Sequence, residues 1–193
     1  MALTTKLEAI NTMLGVIGES PVNSIGAAVS SLPVSVVTAL NVLNEVSREV
    51  QAEGWHYNTE HDYPLARTST NEISLPANTL KVDTDPNRYT DIDVVQRGTK
   101  LYDRKNHTNV FNSDLKVSIT FELEFEELPQ QFRTYFITRA SRKFANRYLG
   151  SQEIEGFTLR DEIIAKASAV DSDSENADRT IFDNYDVQRV LDR

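Results

Sequence analysis

The 193-residue chain contains no cysteine, which excludes disulfides and thiolate chemistry and fits a protein made in a reducing cytoplasm. No apolar run approaches the ~18 residues that a membrane-spanning helix needs, so no membrane span is expected. The start at Met1 lacks the basic-then-apolar pattern of a signal peptide. Basic residues are in short supply, with 20 Lys and Arg against 29 Asp and Glu, a net charge of −9. Phosphate affinity comes from clustered Lys and Arg, so this balance argues against a general nucleic-acid binder. Neither a glycine-rich phosphate loop nor a nucleophile-elbow pattern is present.

What the chain does contain is enough apolar residue, 39%, for a sizeable core beneath a hydrophilic surface. The acidity is local. Residues 151–193 hold 11 acids and 5 bases, a net of −6, which leaves the rest at −3.

The most informative stretch runs from Leu115 to Gly150. From Val117 to Phe125 every odd residue is apolar and every even one polar, the period of a half-buried strand. Beyond Pro129 the period becomes helical, with Phe132, Phe136, Ala140, Phe144 and Tyr148 four apart and Gly150 placed as a C-cap. Charge changes sign at the same joint. Glu122, Glu124, Glu126 and Glu127 precede it, and Arg133, Arg139, Arg142, Lys143 and Arg147 follow.

Upstream, Thr5 and Glu8 form a capping box for a first helix over 5–18, with Leu7, Ile10, Leu14 and Ile17 as its stripe. Residues 19–32 read as a loop. A second helix, capped by Ser30 or Ser31 with Pro33 in its first turn, carries Val36, Leu40, Leu43, Val46 and Val50 and closes at Gly54. Between Trp55 and Glu127 the helical period disappears. Short apolar runs at 55–57, 73–75, 80–82, 92–95, 100–102 and 117–125 predict an antiparallel insertion of about five strands, including a hairpin that turns at Gly98. A fourth helix over 151–170 takes Ile154, Phe157, Ile163, Ile164 and Val170 as its apolar set. The acidic run 171–178 reads as a solvated linker to a tail bearing Phe182, Tyr185, Val190 and Leu191.

The expected fold class is therefore α+β. A bundle of about four helices (1–54 and 128–170) carries an antiparallel β insertion (55–127) between its second and third helices and an acidic, extended C-terminal tail (171–193). Catalytic readings are weak. Glu122 and Glu124 share one strand face at roughly 6–7 Å, near the spacing an inverting glycosidase uses. That face is the wet one, where nothing raises a carboxyl pKa for acid catalysis. A tail-associated polysaccharide hydrolase built on these surface carboxylates is the alternative reading. His56, His61 and Asp62 lack helical zinc spacing. The run from Asp171 puts Asn176 and Phe182 where a calcium loop needs glycine and glutamate. No catalytic residue, cofactor or metal site is expected.

On the third helix, Arg139 and Arg142 fall on the polar side, whereas Arg133 and Arg147 fall inside the apolar arc. A buried guanidinium needs partners. Glu45, Glu49 and Glu53 of the second helix are candidates within the chain, and a neighbouring subunit is the other source. Arg133, Arg139, Arg142 and Arg147, with Phe182, Tyr185, Val190 and Leu191 of the tail, are the candidate subunit or partner interface residues.

Several segments carry a family likeness. MLGVIGESPV, LNEVSREVQAEGWHYNTE, VVQRGTKLYDR and the block from FELEFEELPQQFR through RASRKFANRYLGSQEIEGFT occur in order over about residues 7–165. In these the sequence resembles tail tubular protein A, the head-to-tail adaptor of short-tailed phages. The resemblance implies a structural protein of the virion, assembled in the host cytoplasm. It also implies a homo-oligomeric ring, a dodecamer, between the portal protein and the tail nozzle protein, with tail fibres attached nearby. DNA would pass through that ring without specific binding. The implied fold is again a helical bundle with a β insertion.

Overall fold

The computed structural model describes residues 2–26, 31–148, 150 and 152–177, with the backbone alone at 152–158. Helix α1 (Lys6–Val16) starts at the predicted capping box. Thr5 Oγ1 accepts from the Glu8 amide at 3.2 Å, and Glu8 Oε2 accepts from the Thr5 amide at 2.7 Å. It buries Ala9, Ile10, Met13 and Leu14. Helix α2 (Val34–Gln51) begins one residue after Pro33, whose extended ψ of 145° holds it just outside the first turn. Pro33 takes the N-cap position and its side chain makes no capping hydrogen bond; Ser30, one of the expected caps, lies outside the described residues. Helix α3 (Gln130–Tyr148) buries Phe132, Tyr135, Phe136, Ala140 and Phe144 against both.

Five strands form the insertion: β1 (Thr59–Leu65), β2 (Thr79–Thr84), β3 (Val94–Arg97), β4 (Lys100–Asp103) and β5 (Leu115–Phe121). The order β1-β5-β2 makes β5 the centre of an antiparallel sheet, with Tyr63 opposite Val117 and Val82 opposite Ile119. Strands β3 and β4 form the predicted hairpin, where Gly98 adopts φ 63° at the turn. Two predicted strands are absent as strands. Residues 56–58 form a 3-10 turn, and Ile73 and Ser74 make only isolated bridges.

Two apolar clusters result, one among the helices and one in the sheet. The alternating segment after Leu115 serves both. Val117 and Ile119 fill the sheet cluster, whereas Leu123 and Phe125 pack into the helical one. The strand itself ends at Phe121, and Phe125–Glu127 form a 3-10 turn before α3. Alternation thus outlasts hydrogen-bonded pairing because two cores lie end to end along the chain.

Helix α4 (Gln152–Asn176) corrects two expectations. It runs through the acidic stretch as far as Asn176, so residues 171–176 are helix rather than linker. Asp173 Oδ1 accepts the His56 amide at 2.9 Å, which anchors those last turns on the 3-10 turn that follows α2. Its described packing face also leaves out Ile163, Ile164 and Val170 of the expected aliphatic set, whereas the side chains of Ile154 and Phe157 lie outside those described. Ala165, Ala169 and Glu162 are buried, while Ile163 and Ile164 are 62% and 61% exposed. Small residues let the α4 backbone approach α3 closely, and Glu162 turns inward to meet arginines. No helix among the described residues is long and apolar enough to cross a membrane.

Candidate functional site

Most of the third-helix cations are paired within the chain. Helices α2 and α3 run antiparallel, so residues four apart on each meet in sequence. Arg147 grips Glu45 with both nitrogens at 2.8 and 2.9 Å. Lys143 Nζ lies 2.7 Å from Glu49 and 3.3 Å from Glu45, and Arg139 reaches Glu49 at 3.1 Å. From the opposite flank, Glu162 of α4 accepts Arg142 Nε and lies 3.9 Å from Arg139. Lys166 of α4 faces Glu53 at 3.8 Å. Hydrogen bonds from Arg147 and then Lys143 hold Glu45 at about 2, and Lys143 lowers Glu49 in the same way. Arg147, assigned by periodicity to the apolar arc, is exposed because it lies in the last turn of α3.

Arg133 is the exception. Its residue is 3% exposed, and no carboxylate meets it among the described residues. Its guanidinium donates instead to three carbonyls: Leu128 O at 2.8 Å, Thr4 O at 2.7 Å and Glu126 O. Two of these, Glu126 and Leu128, sit at the end of the 3-10 turn, where carbonyls lack helical partners. The charge therefore ties the N-terminal arm to the strand-helix joint. A single sequence shows the burial from spacing, but backbone acceptors leave no complementary residue to find.

The joint between the two clusters is pinned by two buried amides. Gln51 Nε2 donates to Leu123 O at 3.0 Å, and its Oε1 accepts the Leu123 amide at 2.8 Å. Asn58 Nδ2 donates to both Gln51 O and Phe121 O. Trp55 Nε1 donates to Val50 O at 2.7 Å, and its ring lies 4.9 Å from that of Phe132. Neither amide stood out in the sequence, since nothing about an isolated Gln or Asn marks it as buried.

Along this joint runs an open cleft of about 750 Å³ whose walls include Glu53, His61, Lys81, Asp83, Lys116 and Asp173. His61 Nδ1 is 3.0 Å from Ser118 Oγ, and His56 also lines the cleft. Among the described residues no three His, Cys, Asp or Glu side chains are grouped to hold a metal. Glu122 and Glu124 lie past the end of β5, one half-buried and one exposed. Glu124 starts the 3-10 turn, and its amide donates to Glu127 Oε2 at 3.0 Å. The pair has left the regular strand geometry on which a fixed spacing depended. Phe182, Tyr185, Val190 and Leu191 lie outside the described residues.

The arrangement is thus a cross-braced helical body tied to a small sheet by buried side-chain hydrogen bonds. A family model described as tail tubular protein matches residues 7–179. No curated protein matches the chain.

Proposed function

Because the chain belongs to the tail tubular protein family, and so is a structural component of a bacteriophage tail, we propose that it is the head-to-tail adaptor of a short-tailed phage. In this reading copies close into a dodecameric ring between the portal protein and the nozzle protein, and the ring lines the channel through which DNA leaves the head. The observation that carries it is the family match, which spans both the helices and the insertion without a break. Charge supports it. A channel that passes DNA must not grip phosphate, and a chain of net charge −9 has little basic surface to do so.

The body 1–54 and 128–170, extended along α4, and the acidic tail face the portal. The insertion 55–127 faces the nozzle and the tail fibres. Assembly takes place in the host cytoplasm, and the protein has no turnover, cofactor or metal. Head-to-tail contacts between copies close a ring when the rotation per subunit allows it. Arg133, Arg139, Arg142 and Arg147 contribute by stiffening the body that makes those contacts, and Phe182, Tyr185, Val190 and Leu191 anchor the tail on a neighbour. Gel filtration with purified portal protein tests this. Co-migration as a complex is expected, and separate elution at every ratio overturns it. Sugar release from capsule polysaccharide that Glu122→Gln or Glu124→Gln abolishes would instead establish the hydrolase reading.

A further inference from the structure

Over residues 159–176, where the side chains of helix α4 are described, small residues and Glu162 face inward and the bulky aliphatic ones face outward. At about 100° per residue, Leu159, Ile163, Ala167 and Val170 fall within one arc of about 80°. The buried face of Glu162, Ala165 and Ala169 lies about 120° away. Leu159, Ile163 and Val170 are 44%, 62% and 39% exposed, and Ile164 beside them is 61% exposed. The stripe is about 17 Å long at 1.5 Å per residue. A soluble helix normally keeps such residues on its core side. Helix α4 packs on α3 and on the turn after α2, which leaves this outer face open among the described residues.

The charges beside the stripe indicate what covers it. Arg160 and Asp171 lie on the same flank, near opposite ends of the stripe, both exposed and neither ion-paired among the described residues. In an antiparallel pair of identical helices centred near Ala165, Leu159 meets the second Val170 and Ile163 meets the second Ala167, a bulky residue against a small one. The same register places Arg160 beside Asp171 of the other copy, twice by symmetry. Reversed ends of opposite charge on one flank are what a self-complementary two-fold contact requires.

We infer that the outer stripe of α4 pairs antiparallel with the same stripe of a second copy of this chain. A two-fold contact closes at two copies, so it belongs to the free protein and leaves the head-to-tail contacts of a ring to other surfaces. It shields exposed aliphatic surface before assembly. One stripe per copy is smaller than the ~800 Å² per partner of a standard interface, so the pair is weak and dilution separates it.

Sedimentation velocity of the full chain across roughly micromolar to hundreds of micromolar concentration tests the pairing, with circular dichroism as a control for folding. A monomer–dimer equilibrium is expected. Ile163→Lys leaves the fold intact and weakens the dimer at least about tenfold, because it puts a charge at the centre of the stripe. Arg160→Asp alone and Asp171→Arg alone each weaken it several-fold, since two exposed ion pairs become two repulsions. The double variant restores it. A monomer at every concentration overturns the inference, as does a dimer indifferent to Ile163→Lys or a double swap that fails to restore association. Loss of amide-exchange protection over residues 159–170 on deleting 178–193 from a monomeric chain also overturns it, by making the chain's own C-terminal segment the cover.

Discussion

Arg133 shows how a buried cation can be held without an anion. Three carbonyls, two from the end of a 3-10 turn and one from Thr4, surround a guanidinium whose planar fork suits several acceptors at once. Its carbon also lies 5.7 Å from the centre of the Phe125 ring, which adds a cation–π contribution. Arg133→Met should cost about 3 kcal/mol or more, because charged hydrogen bonds are lost and buried carbonyls are left unpaired. Arg133→Lys should fall between that variant and the parent, since an ammonium cannot span the same three acceptors. Urea unfolding of the three proteins checks both values.

Glu45 gives the pH dependence at the same scale. Its folded value near 2 lies below the ordinary 4.5, so its ion pairs contribute fully above that ordinary value and fade as pH falls from about 4.5 towards about 2. Stability measured by urea unfolding should decline through that window, and Glu45→Gln should flatten the decline. Added salt should blunt the same effect, because the pair with Arg147 is open to solvent.

Among the elements, the joint between β5 and α3 holds the two clusters together. Gln51 is fully buried and completes both backbone hydrogen bonds of Leu123. Gln51→Leu keeps the volume but orphans an amide and a carbonyl, so a loss of about 2–4 kcal/mol is expected. Thermal unfolding should then split into two transitions if the sheet loosens from the helices, and calorimetry reads that directly.

Legibility in the sequence follows the same physics. The capping box at Thr5, the stripes of α1 and α2, that of α3 as far as Phe144 and the Gly98 hairpin were readable because each is a local pattern with a local cause, whereas Tyr148 at the end of the α3 stripe is exposed. On helix α4, the packing face differs from expectation at Ile163, Ile164 and Val170. The aliphatic residues were the obvious core candidates, whereas close approach to α3 selected Ala165 and Ala169, and Arg142 drew Glu162 inward. Its length was misread too, since Asp and Ser favour turns in isolation and the tertiary anchor from Asp173 to His56 is not a sequence pattern. Strand β1 was missed because TEHDYPL alternates poorly, with a bulge between Glu60 and Tyr63. The candidate arginines were found from charge and spacing. Their partners on α2 were among the named alternatives, but the backbone acceptors of Arg133 were beyond any pattern of side chains.

For the whole molecule, rigidity and charge fit one role. Ion pairs brace α2, α3 and α4 to one another, and buried amides lock the sheet to that body. The proposed ring subunit, set between a capsid vertex and a tail, would need such bracing. In the proposed channel the acidic chain would give DNA little to hold. Native mass spectrometry of the chain with purified portal protein tests the adaptor role most directly. A portal complex bearing a closed, dodecameric ring of this chain is the predicted result. Free chain and free portal, with no complex at any ratio, would contradict it.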